Sequence, residues 1–213
     1  MTETAPRREA NSAHSQAGAL SARRLGALLI GAGLVGLAAA IVLLVEKLEL
    51  LVNPDYIPTC NVSPILSCGS VMTTPQAEAF GIPNPIIGIA GFAAVAVVGG
   101  AVLAGSGFRL WFWVGTQVGV TFAVVFVHWL IFQSLYVIGA LCPYCMIVWA
   151  VTIPIFWYTT VFNLQHFQGP PPRWARQCIE FATGYHGVIL TAWILAVIAL
   201  IAARFWDYWI SLM

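Results

Sequence analysis

The sequence predicts an all-α integral membrane protein. Two features of composition and one of charge carry this expectation. Hydrophobic residues make up 60% of the 213 residues and charged ones only 8%, whereas soluble domains carry about 25% charged residues. The apolar residues collect into five runs of roughly membrane-spanning length. The few Lys and Arg fall unevenly on the two sides that these runs define. Size is therefore read as a count of spans, and the net charge of +1 says nothing about nucleic acid.

The elements follow in order. Residues 1–24 are small and polar with Arg7, Arg8, Arg23 and Arg24, and read as a disordered cytoplasmic tail; the apolar run after them is too long for a cleaved signal. The first span is expected over 25–45, where Gly26, Gly31, Gly33 and Gly36 would let another helix approach closely. A loop over 46–84 is far longer than the usual connection of about 4–6 residues. It has an apolar face (Leu48, Leu51, Ile57, Val62, Leu66, Met72) and is broken at Asn53-Pro54 and Ile57-Pro58. Such a segment reads as a lid lying on the bundle, partly as short interfacial helices. The second span is expected over 85–104, with a tight turn at Gly105-Ser106-Gly107, and the third over 110–135. The fourth starts at Cys142-Pro143-Tyr144-Cys145 and ends near Phe162; a cytoplasmic loop covers 166–187. The fifth covers 188–203 with a soft start, leading to the outer C-terminus within 188–213.

Orientation follows from the cations. Arg7, Arg8, Arg23, Arg24, Arg109, Arg173 and Arg176 lie on the side of the N-terminus, and Lys47 and Arg204 on the other. The positive-inside rule puts the N-terminus in the cytoplasm. Trp111 and Trp113 then mark the inner interface, and Trp206, Tyr208 and Trp209 the outer one.

Four of the five cysteines fall on the outer, oxidising side: Cys60 and Cys68 in the lid, Cys142 and Cys145 at the mouth of the fourth span. Cys178, in the inner loop, reads as a reduced structural thiol. A C-x-x-C pair suits disulfide exchange. Pro143 is a helix-start residue, so both sulfurs would lie by the first turn, where free N–H groups and the helix dipole favour thiolate. Two pairs, one on a lid and one at membrane depth, make an electron relay, and its acceptor must live in the membrane; a quinone is the expected one. The rival is a four-cysteine metal site. Against it, the separation of Cys60 and Cys68 does not match a short ligand loop and no second C-x-x-C exists.

These motifs together resemble the vitamin K epoxide reductase (VKOR) family, specifically bacterial homologues without a fused thioredoxin domain. The likeness spans about 25–165. It rests on Cys60, Cys68 followed by Gly-Ser-Val-Met-Thr-Thr, Phe80-Gly-Ile-Pro-Asn-Pro85 leading to Gly88, and Cys142-Pro-Tyr-Cys145. The resemblance implies a four-helix catalytic core around a quinone site, capped by the extracytoplasmic lid, with a peripheral fifth helix. It implies oxidation of a DsbA-like thioredoxin-fold protein and reduction of a membrane quinone (menaquinone or ubiquinone), from a bacterial plasma membrane, in support of disulfide bond formation. Cys60 and Cys68 would be the shuttle pair, Cys68 would exchange with Cys142, and Cys145 would face the quinone. Asn84 would hydrogen-bond a quinone carbonyl, and Thr74 stands where the family has a Ser or Thr near the site. Animal members carry a Tyr where this chain has Trp149, so a role that needs a phenol is not carried over.

Read without the family, Asn84 sits at the outer end of the second span, where its amide could donate to a developing oxyanion or cap the helix before Pro85. Thr74 suits a turn as well as a site. His128 lies about 27 Å from the inner face by helical rise, near the expected quinone level; it is a candidate proton carrier or an interhelical hydrogen-bonding residue. Gln117 and Gln133 read as interhelical bonds and Glu78 as a solvated lid charge. Two other functions fit the composition: a vitamin K epoxide or quinone reductase of a vitamin K cycle, and a non-catalytic membrane protein with structural disulfides or a metal.

Overall fold

The computed structural model describes residues 21–166 and 173–211; the tail with Arg7 and Arg8 lies outside them. Among the described residues, five helices are long and apolar enough to cross a membrane: α1 (Ala22–Val52), α3 (Asn84–Leu103), α4 (Leu110–Phe132), α5 (Pro143–His166) and α7 (His186–Arg204). Three short helices join them: α2 (Cys68–Met72) in the lid, α6 (Arg173–Gly184) between α5 and α7, and α8 (Trp206–Ser211) at the end. A 3₁₀ turn covers Pro75–Glu78 and a π-helical turn, Gln133–Ile138, extends α4. The chain is an all-α multi-pass membrane protein, as its composition predicts.

α1 is longer than the span expected over 25–45. Its 31 residues give about 46 Å at 1.5 Å each, against a hydrocarbon core of about 30 Å. No residue before Asn53-Pro54 breaks it, so the first two turns assigned to the loop are helical. Ser21 caps its start, the side chain accepting from Arg24 N–H.

α1 and α3 run antiparallel in the closest pairing of the bundle, and α1 and α4 each pack on α5. Small residues set the α1–α3 distance: a Cβ on Gly36 would stand 2.5 Å from the Phe92 ring. Gly31, grouped with it by sequence, faces open space. α3 ends at Ala104, with Gly105 N–H donating to Val102 O and Ser106 N–H to Ala101 O, the paired bonds that close a helix end. Polar side chains tie α4 to α5: Gln117 Nε2 donates to Thr160 Oγ1 at 2.9 Å and Asn163 Nδ2 to Gln117 Oε1 at 2.8 Å. α3 and α4 are consecutive, yet they hardly touch. Gly91 on one and Gly115 and Gly119 on the other border open space. A seam therefore remains between them.

The segment expected as a plain loop over 166–187 contains α6, an amphipathic helix. Trp111 is exposed as an interfacial residue should be, while Trp113 turns inward onto Phe162, ring centroids 4.8 Å apart.

Candidate active site

The lid is held at α1. Glu46, 5% exposed, accepts hydrogen bonds from Tyr56 Oη, Thr59 N–H and Thr59 Oγ1. Lys47 donates to Met72 O at 2.7 Å and pairs with Glu78 at 3.0 Å. Two buried charges are tolerable here because each is fully engaged. Glu78 is thus an anchor rather than a merely solvated charge. Neither Glu46 nor the pairing of Lys47 was anticipated; the available signal was a Glu-Lys pair closing an otherwise uncharged run.

Within the lid, Asn61 Oδ1 accepts from Gly69 N–H at 3.0 Å and from Ser67 Oγ at 3.2 Å. Ser67 Oγ caps α2 by accepting from Ser70 N–H. These bonds close the loop between Cys60 and Cys68, which are joined in a disulfide. Leu66 then forms a parallel bridge to Leu141: Leu141 N–H donates to Ile65 O at 2.7 Å and Ser67 N–H to Leu141 O at 2.9 Å. Leu141 can offer its backbone because the π turn ends at Gly139, whose φ of 72° is a left-handed conformation natural to glycine. The bridge brings Cys68 Sγ to 3.0 Å from Cys142 Sγ.

α5 begins at Pro143, so Cys142 is its capping residue and Cys145 lies in its first turn. Both are free thiols. A hydrogen bond from the Cys145 thiol, with the N–H groups of Cys145 and Tyr144, holds the Cys142 thiol below its ordinary range; burial and the Glu46 charge oppose this. For Cys142 the N–H groups of the helix start add to this lowering, behind the Cys145 thiol. Cys60, Cys68 and Cys142 lie with their sulfurs within 4.8 Å of one another. Two of those three sulfurs are already bonded to each other, so the set offers one thiolate rather than a metal cage. Cys178 is free and exposed on α6, so it is not a buried structural thiol.

Below the C-x-x-C lies a cavity of about 530 Å³, filling the space by the α3–α4 seam. Cys145, Trp149, Asn84 and Thr74 all line it, as do Gly91, Gly115 and Gly119. Phe80 of the lid covers its rim, its ring 5.4 Å from that of Phe126 and 6.1 Å from that of Phe122. Asn84 is the first residue of α3, but its side chain does not cap that helix. Its Oδ1 accepts from Ala79 N–H at 3.1 Å and its Nδ2 donates to Gln76 O at 2.7 Å, leaving a second amide hydrogen. Thr74 Oγ1 donates to Val71 O at 2.7 Å. Trp149 is 3% exposed and its indole N–H has no partner among the described residues. It lies one helical turn beyond Cys145 on the same face, which was the signal for it.

His128 is not brought to the cavity. Trp193 of α7 donates its indole N–H to His128 Nε2 at 3.0 Å, and His128 Nδ1 lies 2.8 Å from Val124 O. This assigns the proton to Nδ1, which donates to that carbonyl. With both nitrogens engaged and the ring turned to α7, His128 makes the interhelical bond, and its other reading, a proton carrier among the quinone-site residues, is corrected. The reason is face: a single residue's depth in the membrane does not say which side of its helix it occupies.

A search of curated proteins finds no match. The chain does match the family model described as the Vitamin K epoxide reductase family, over residues 27–160. That stretch carries both cysteine pairs, the lid and the cavity. Members of this family are membrane oxidoreductases, generally linked to quinones. By this match across more than half its length, the chain belongs to the vitamin K epoxide reductase family.

Proposed function

We propose that this chain is a protein-disulfide:quinone oxidoreductase that reoxidises a DsbA-like thioredoxin-fold protein. The observation that carries the reading is the 3.0 Å contact between Cys68 Sγ, in the lid disulfide, and the free Cys142 thiol. It joins an electron entry point to a C-x-x-C at the wall of an apolar cavity. In the relay, a partner thiolate attacks Cys60 Sγ and frees Cys68 as thiolate; the partner's second thiol then resolves the mixed disulfide. Cys68 attacks Cys142 Sγ of the oxidised helix pair, and Cys145 leaves as thiolate. Cys60 attacks Cys68, re-forms the lid disulfide and releases Cys142. The sum is one partner disulfide formed and two electrons held on Cys142 and Cys145, the redox state of the structure.

The cavity fits a quinone ring. Its volume lies in the range of about 300–1,000 Å³ typical of small-molecule sites, and its wall carries the unpartnered Trp149 N–H and the spare hydrogen of Asn84. A quinone bound there supplies the sink for two electrons and two protons. Asn84 and Trp149 would hold its oxygens with donors aimed into a dry site, and Thr74 would sit at the lid edge. Cys145 lines the same space. The α3–α4 seam suits a ring with a long apolar tail. The cation asymmetry supports an orientation with the lid outside and the N-terminus in the cytoplasm, and the likeness to bacterial homologues supports a plasma membrane location. Extraction of the purified protein tests the reading: bound menaquinone or ubiquinone, with turnover that consumes a thioredoxin-fold dithiol, is expected. Turnover with vitamin K epoxide and none with quinone would sink it in favour of the vitamin K cycle.

A further inference from the structure

The fifth span is built unlike the other four. No residue of α7 is buried, and it lies outside the stretch that matches the family. Its contacts are few and spread along it: Trp157 donates its indole N–H to His186 O at 2.8 Å at its start, and a separate set lies at the lid end. Arg204, its last residue, donates from Nε to Leu135 O at 2.8 Å. Phe205 follows it and is 6% exposed, packed in one cluster with Leu135, Leu141 and Trp149. Lower down, Trp193 holds His128.

The Arg204 and Phe205 contacts converge on the corner that carries Cys142. That corner consists of the π turn, Gly139 and the short stretch to Leu141. It is a short irregular joint between two spans, and its carbonyls lack the donors that a continuing helix would give. Arg204 satisfies one of them, as basic side chains do at helix ends. Phe205 fills the space behind Leu141, whose backbone makes the bridge to Leu66. The lid touches the corner from one side and α7 from the other.

We infer that Arg204 and Phe205 are positioning residues: they brace the 133–142 corner so that Leu141 meets Leu66 and Cys142 stands in line with Cys68. This inference rests on the relay proposed above and deepens it. Thiol–disulfide exchange needs the attacking sulfur close to, and aligned with, the one it attacks. A displacement of about 1 Å can cost on the order of 100-fold in rate.

The test uses the full chain with Cys60→Ala, Cys145→Ala and Cys178→Ser, so that only Cys68 and Cys142 remain. Oxidised glutathione takes two electrons and two protons from these thiols, leaving the Cys68–Cys142 disulfide and two glutathione thiols. The rate of that closure is read by mass spectrometry, beside the thermal midpoint from helical circular dichroism. Arg204→Met and Phe205→Ala should each slow closure by roughly tenfold or more with the helical signal at assay temperature unchanged, and Arg204→Lys should recover part of the rate. Equal closure rates in all variants would overturn the brace and leave α7 an anchor. Slowing that only tracks loss of helical signal, without rescue by Lys, would overturn it too. The assay needs neither quinone nor partner, so absence of quinone reduction in the unaltered chain would sink the relay reading separately.

Discussion

Cys142 and Cys145 are carried by a membrane helix, whereas Cys60 and Cys68 are carried by a stapled loop. The helix pair is fixed by backbone bonds inside α5, in apolar surroundings where no water competes for them. The lid pair depends on a handful of longer-range bonds: those to Glu46, Lys47 and Asn61, and the Leu66–Leu141 bridge. Exposure makes the same contrast. Cys60 is 4% exposed and Cys68 fully buried, so in the proposed relay a soluble partner would reach them only when the staples release. That relay requires one pair to stay at the cavity wall and the other to swing. The helix supplies the first property, and a loop held by breakable polar contacts supplies the second.

The largest test of this contrast deletes sulfurs. Cys142→Ala and Cys145→Ala should abolish quinone reduction, whether electrons come from the protein partner or from a small dithiol. Cys60→Ala and Cys68→Ala should abolish only the partner-driven reaction, because a small dithiol can reach the helix pair directly. If the lid variants lost both activities alike, the two-stage relay would be wrong.

Asn84 stands where lid and bundle meet, and separates a chemical from a structural role. A donor aimed at a developing oxyanion contributes about 2.7–4 kcal/mol, so Asn84→Ala should lower turnover on the order of 100- to 1000-fold. Asn84→Asp keeps the acceptor for Ala79 N–H but loses the donors, and should do no better. A fully active Asp variant would reduce Asn84 to a staple between Gln76–Ala79 and α3.

Glu46 tests whether the lid can be loosened without touching the bundle. Hydrogen bonds to a charged group are worth about 1.5–3 kcal/mol. Glu46→Gln, which keeps one acceptor oxygen, should favour lid opening by about 2 kcal/mol. A thioredoxin-fold reductant should then reduce Cys60–Cys68 faster, while small-dithiol turnover holds. An unchanged reduction rate would mean that Glu46 does not gate the lid.

The smallest effects belong to the bundle's own packing. Gly36→Ala forces a methyl group into the Phe92 ring and should cost about 1–3 kcal/mol, visible as a lower thermal midpoint. Gly31→Ala meets nothing and should stay within about 0.5 kcal/mol. Equal effects at the two positions would contradict the α1–α3 contact.

The spans, the start of α5 at Pro143 and the presence of a lid were legible in the sequence, because each rests on local physics. Apolar run length sets a span, proline sets a helix start, and a long loop with an apolar face must lie on something. The cysteine spacings were legible for the same reason, as was the family likeness they carry. Other features depend on which face of a helix a residue occupies and on what arrives from elsewhere in the chain. A periodicity that is apolar all round cannot report a face, because lipid and protein interior select the same side chains. Hence Gly31 could not be told from Gly36, nor the α7-facing His128 from a residue at the cavity. The charges of Glu46 and Lys47 were readable, but not that lid groups 10 to 31 residues away engage them. Likewise the 3.0 Å meeting of Cys68 and Cys142 spans 74 residues of sequence and is set by a single backbone bridge. Local residue chemistry determined what each segment could be; the convergence of distant segments decided which sulfurs, donors and charges meet, because those contacts form only when the helices pack.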